Sequence, residues 1–115
     1  MPFIRLTTNV KLDDSKREQL KTAVFDAITR IPGKTEEVTM LDIVDDAAMS
    51  KGNNTIPAAF VDTRVFTAAP QEGKDEYCKA LGDALNAIIG VDKKMLYVNI
   101  LEFNGWGSGF GFRIL

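Results

Sequence analysis

The first apolar run, Pro2-Phe3-Ile4 with Leu6, is interrupted by Arg5 and ends in Thr7 and Thr8. It predicts a strand over residues 2–8, followed by a polar turn from Asn9 to Asp14. Leu20, Ala23, Val24, Ala27, Ile28 and Ile31 then recur at the three- and four-residue spacing of one helix face, which predicts a helix over 15–31. Ser15 and Glu18 stand at the capping-box spacing, and Asp13 and Asp14 suit the positive end of that helix. Pro32-Gly33 stops it. Residues 37–45, carrying Val38, Met40, Leu41, Ile43 and Val44, read as a second strand. A loop through Lys51-Gly52-Asn53-Asn54 separates it from a third strand over 57–66. Pro70 opens a second helix that runs to Ile89 along Tyr77, Leu81, Ala84, Leu85 and Ile88. Gly73 and Gly82 weaken it locally, and Gly90 is its C-cap. A fourth strand is expected over 95–103, before a glycine-rich tail over 105–115.

The order strand–helix–strand therefore occurs twice. Laying Phe3 on Phe60 also lays Gly33 on Gly90 and Ile43 on Ile100. The segment from Val38 to Val44 falls on that from Met95 to Leu101. Identities are few, but the apolar pattern agrees, and the chain reads as an internal duplication of about 1–46 and 57–104 within a single domain. Each crossover should return to a parallel neighbour with right-handed connection. Both helices then lie on one face of the sheet. The other face needs cover, and in a chain of 115 residues the natural cover is another copy of the same chain.

Composition narrows the chemistry. The formal net charge of −2, with no basic run and no Lys/Arg interleaved with aromatics, argues against nucleic acid as a partner. No apolar stretch reaches the ~20 residues of a membrane span, so no membrane association is expected. Arg5, Thr7, Thr8 and Asn9 interrupt any signal-peptide core, so a cytoplasmic location is expected, with export by a route lacking a signal left open. The lone Cys78 allows no internal disulfide and no cysteine metal cluster, and a buried structural thiol is its expected role. Asn53-Asn54-Thr55 matches a glycosylation sequon, which carries little meaning without a secretory signal.

The chain has no histidine, so the usual acid–base residue near neutral pH is missing. A small residue after the initiator methionine favours its removal, and this would leave Pro2 with a free secondary amine. That amine would be the one nitrogen in the chain able to act as a base near neutral pH. Other motifs fail. Gly33-Lys34-Thr35 lacks the glycine of a P-loop at Ile28 and follows a helix instead of opening one. The alternating Gly105, Gly107, Gly109 and Gly111 precede no helix and make no dinucleotide fingerprint. A histidine-based triad is excluded, no zinc set is present, and paired carboxylates such as Asp13-Asp14 read as solvated.

Four features converge: the N-terminal proline, the doubled β-α-β, Gly33-Lys34 directly after the first helix, and Tyr97-Val98-Asn99 in the last long strand. Together they resemble the tautomerase superfamily, most closely its macrophage migration inhibitory factor and D-dopachrome tautomerase branch. Thr8-Asn9-Val10 and the loop Met49 to Pro57 add to the likeness, which spans essentially the whole chain. The resemblance implies an α+β fold with a four-stranded mixed sheet and two helices on one face. It also implies a homotrimer around a central channel, with active sites between subunits. Carried over by position, Pro2 is the catalytic base and Lys34 the group that binds the substrate's carboxylate or carbonyl oxygen. Tyr97 and Asn99, from a neighbouring subunit, line the pocket. Phe66 stands near a position that contributes a backbone N–H. Phe3, Val38 and Phe110 form apolar walls. The implied reaction is cofactor-independent keto–enol tautomerisation of an aromatic α-keto acid such as phenylpyruvate. The alternative is a binding or cytokine-type signalling protein on the same scaffold with vestigial catalysis.

Each residue also has a plainer reading. Lys34 complements the negative end of the first helix, Tyr97 and Asn99 sit on a sheet surface, and Arg5 and Arg64 are charges on a wet strand face. Trp106 and the C-terminal phenylalanines are core or subunit contacts. Three departures limit the resemblance. Ala58 and Val61 stand where some relatives carry a Cys-x-x-Cys, which removes thiol–disulfide chemistry. Thr67-Ala68-Ala69 lacks the arginines of the decarboxylase and dehalogenase branches. The tail from Trp106 to Phe110 is atypical, leaving the pocket's shape open.

Overall fold

The computed structural model describes residues 1–115. Strand β1 (Pro2–Thr8) leads into helix α1 (Asp14–Ile28), then β2 (Met40–Val44) and β3 (Ala59–Phe66). Helix α2 (Gln71–Ile89) follows, then β4 (Leu96–Phe103), β5 (Gly105–Ser108) and β6 (Gly111–Ile114). The main sheet has the order β2-β1-β3-β4. Its outer pairs are parallel and its central pair, β1 with β3, is antiparallel. The expected four-stranded mixed sheet is therefore present. No helix is long and apolar enough to cross a membrane.

Both helices pack on one face. Ile4 and Leu6 of β1, with Val61 of β3, are completely buried against Leu20, Val24 and Ile28 of α1 and Tyr77, Leu81 and Leu85 of α2. Each such aliphatic side chain withdrawn from water contributes about 1.5–3 kcal/mol. Within this core the Tyr77 hydroxyl and Thr63 Oγ1 share a hydrogen bond of 2.8 Å. Burial pushes the Tyr77 phenol up, away from ionisation.

The strand register follows the same offset that lays Phe3 on Phe60. Phe3 pairs with Met40 in the first parallel pair, and their counterparts Phe60 and Tyr97 pair in the second. Leu6 pairs with Ile43, and likewise Thr63 with Ile100. Arg5 and its counterpart Asp62 face each other across the antiparallel centre, so the pseudo-dyad passes between them.

Several boundaries differ from the sequence-based expectation. Helix α1 stops at Ile28 instead of Ile31, because the Thr29 hydroxyl donates to the Asp26 carbonyl at 2.6 Å and the following turn tightens. Its cap is Asp13, whose carboxylate accepts from the Lys16 N–H at 2.8 Å. Ser15 lies inside the helix and accepts from Gln19 instead. Strand β2 begins at Met40 because residues 36–38 form a 3-10 turn, closed by Thr39 bonding back to Glu36. Met95 likewise ends a 3-10 turn before β4. Gly90 does cap α2, in the left-handed region. The tail is a hairpin of β5 and β6. Gly105 permits it, because a Cβ there would lie 2.8 Å from the Phe112 ring.

Candidate active site at the amino terminus

Pro2 is the first residue of β1 and is buried. Its strand pairs with the end of β3, placing Pro2 opposite Val65. A cleft of 530 Å³ opens beside it, within the ~300–1,000 Å³ usual for small-molecule sites. Phe3 and Val38, both expected as walls, line this cleft together with Met1 and Pro2. Met40 and the stretch from Trp106 to Gly109 complete it. Met40 is there because the parallel register sets it beside Phe3. The β5 strand brings Trp106 over the site, where its ring packs 6.5 Å from Phe66 and 6.3 Å from Phe103.

Lys34 reaches the same end of the sheet from the turn that follows α1. Its preceding residue, Gly33, has φ +79° and turns the chain after the helix. The Lys34 N–H bonds the Ile31 carbonyl. Its ammonium donates to the Phe66 carbonyl at 2.8 Å. The side chain therefore serves the end of β3. Lys34 is only 8 % exposed, and burial pulls its pKa below the usual lysine range. It has no carboxylate partner.

Phe66 joins the two halves of the site. Its carbonyl holds Lys34, and its N–H donates to the Met1 carbonyl at 3.4 Å. The Met1 amine is easier to deprotonate than an ordinary terminus: burial lowers its pKa first, and the positive charge of Lys34 lowers it further. A neutral amine beside a buried ammonium can move a proton and stabilise a developing oxyanion.

The other expected site residues lie elsewhere in the chain. Tyr97 is aligned with Phe60 and Thr7, five positions along β1 from Pro2, about 17 Å at ordinary strand rise. It is exposed, with Lys51 Nζ 4.7 Å from its ring centroid. Asn99 is aligned with Asp62 and Arg5 near the pseudo-dyad, and its amide oxygen accepts from the Thr63 N–H at 2.9 Å. One chain thus brings together Pro2, Lys34, Phe66, Phe3 and Val38, and leaves Tyr97 and Asn99 on the open face of the sheet. Phe110 stands fully exposed at the tip of the β5–β6 hairpin, outside the cleft lining. Arg5 and Arg64 are engaged by Asp42 at 2.8 Å and Asp62 at 3.4 Å. No group of three or more acidic or thiol side chains is arranged to hold a metal ion.

Comparison with known proteins agrees with this architecture. A macrophage migration inhibitory factor homolog of Trichinella spiralis is 29% identical over 111 residues, 96% of this chain and 96% of that protein. The crystal structure of Leishmania major MIF2 superposes with a TM-score of 0.89 at 24% identity, covering 98% of this chain and 97% of the other. The crystal structure of Pt0534 inactivated by 2-oxo-3-pentynoate superposes with a TM-score of 0.82 at 16% identity, covering 95% and 93%. The family model for macrophage migration inhibitory factor matches residues 1–113, and the chain belongs to that family.

Proposed function

We propose that this chain is a cofactor-independent keto–enol tautomerase acting on an aromatic α-keto acid such as phenylpyruvate, with Pro2 as general acid and base. The observation that carries the reading is the pairing of a buried amino-terminal proline with a buried lysine at one end of the sheet. The reading requires removal of Met1, because an acylated Pro2 nitrogen has no basic lone pair. Removal also releases the Phe66 N–H from the Met1 carbonyl and makes it a donor to substrate. The Pro2 amine takes the proton from the enol oxygen and, now protonated, delivers a proton to C3, or the reverse. Lys34 stabilises the charge on oxygen while it develops. Phe3, Val38 and Trp106 shield the ring from water. The inactivation of Pt0534 by a 2-oxo compound favours 2-oxo acids as the substrate class.

Tyr97 and Asn99 enter the pocket from a neighbouring subunit of a homotrimer in this reading. Support comes from their separation from Pro2 within one chain and from the uncovered sheet face that carries them. The test is ultraviolet-monitored ketonisation of phenylpyruvate enol, with protein whose mass establishes that Met1 is gone. Turnover that disappears in Pro2→Gly is the expected result. No turnover by folded protein with a free Pro2 would sink it. The exposed Phe110 and Phe112 of the hairpin favour a second reading, a binding protein on the same scaffold. That reading predicts a partner interaction that survives Pro2→Gly and is lost on Phe110→Ser.

A further inference from the structure

The duplication places a second cavity at the opposite end of the sheet. Met1, Pro2, Phe3, Val38 and Met40 of the first cleft correspond to Ala58, Ala59, Phe60, Met95 and Tyr97, and these five line a cavity of 170 Å³. The chemistry differs between the two. Ala59 replaces Pro2, and Val91 stands at the counterpart of Lys34, so the second cavity has neither base nor buried ammonium.

Instead it has Lys51, which enters from the loop before β3. A tight turn holds that residue, its main chain bonding Asn54 in both directions at 3.0 Å. Its ammonium donates to the Lys94 carbonyl at 2.7 Å and sits 4.7 Å from the Tyr97 ring centroid. No carboxylate pairs with it, so two of its three donors are left over once the Lys94 carbonyl has taken one.

We infer that Lys51 is a substrate-selecting residue, whose ammonium beside Tyr97 binds a carboxylate at the far end of a 2-oxo acid already bearing one carboxylate at its reacting end. The inference rests on the proposed tautomerase site, in which Tyr97 reaches the pocket of a neighbouring subunit. Lys51 is held against Tyr97 and travels with it. The assembled pocket then has two separated cations, Lys34 at the reacting end and Lys51 at the recognition end. A single lysine in so small a cavity matches the single charge of a carboxylate, whereas a phosphate dianion would keep an unpaired charge.

The test compares kcat/KM for 4-carboxyphenylpyruvate and phenylpyruvate in wild type, Lys51→Met and Lys51→Arg, all lacking Met1. Wild type should prefer the dicarboxylate. The ratio should fall about tenfold in Lys51→Met, as for a lost charge-assisted hydrogen bond, and should persist in Lys51→Arg. No preference in wild type, or an equal ratio in Lys51→Met, overturns the inference. Calorimetric titration with terephthalate and with benzoate runs in parallel. If neither keto acid turns over, the tautomerase reading fails. Terephthalate binding that exceeds benzoate binding and weakens about tenfold in Lys51→Met still supports the subsite, while binding that is absent or independent of Lys51 overturns it.

Discussion

Lys34 and Phe66 are joined across the end of the sheet, the buried ammonium of one donating to the main-chain carbonyl of the other at 2.8 Å. The N–H of Phe66 meets the carbonyl of Met1. One residue at the end of β3 therefore positions both the lysine and the amino terminus. The lysine needs this arrangement: an ammonium withdrawn from water without a partner would be costly.

Replacing Lys34 tests its part in the chemistry. Lys34→Ala should lower kcat/KM for enol ketonisation about 10²–10³-fold, the usual loss for a group that stabilises a developing oxyanion. Lys34→Arg, which keeps the charge, should recover part of it. An Ala variant as active as wild type removes Lys34 from the mechanism.

The pH profile follows from the amine's surroundings. Burial and the charge of Lys34 lower the pKa of the Met1 amine, and a Pro2 amine freed one residue further in is expected to meet the same two effects and to titrate below the ordinary ~7.7–8.0 of a chain terminus. The neutral amine is the competent base. Activity should be full above the lowered pKa and disappear as pH falls through it. Lys34→Met removes one of the two causes and should move the midpoint of any residual activity upward. A midpoint at or above the ordinary value would contradict this account.

Gly33 is required by its backbone. Its φ is +79°, and a Cβ added there would meet nothing within 4 Å, so the penalty for a side chain is torsional. Gly33→Ala should cost about 1–2 kcal/mol, read from the midpoint of urea unfolding. An unchanged midpoint would show that the turn relaxes at no cost.

The Tyr77–Thr63 pair is buried. Tyr77→Phe leaves the Thr63 hydroxyl without its partner and should destabilise by about 1–3 kcal/mol. Adding Thr63→Val should cost less than the sum of the two single changes, because neither polar group then remains. Strict additivity in thermal or chemical unfolding would deny the coupling.

Acid should weaken the fold partly through Asp45. Its carboxylate accepts from the Leu12 N–H and from Arg17, each at 2.8 Å. These contacts, the Leu12 hydrogen bond first, hold its pKa below the usual carboxylate range. The stabilisation is present above the unfolded-state pKa of about 3.9 and is lost as pH falls toward the lowered folded value. Asp45→Asn should flatten this acid limb when unfolding is followed from neutral pH downward. An identical slope in the variant would assign the acid sensitivity to other groups.

The periodicity of apolar residues was enough to place both helices and all four sheet strands, because helix and strand periods are local properties of the chain. The absence of histidine and the position of Pro2 confined the acid–base chemistry before any fold was known. The hairpin in the tail was not legible, since its pairing depends on Phe112 lying over Gly105. Nor was the place of Met40 and Trp106 in the cleft, which follows from strand register and from the path of β5. Lys34 shows the division most clearly. By its residues alone it reads more readily as a countercharge for a helix end; the tertiary structure places its ammonium on the Phe66 carbonyl. Local pattern determines which elements form, whereas contacts between residues distant in sequence decide which side chains meet.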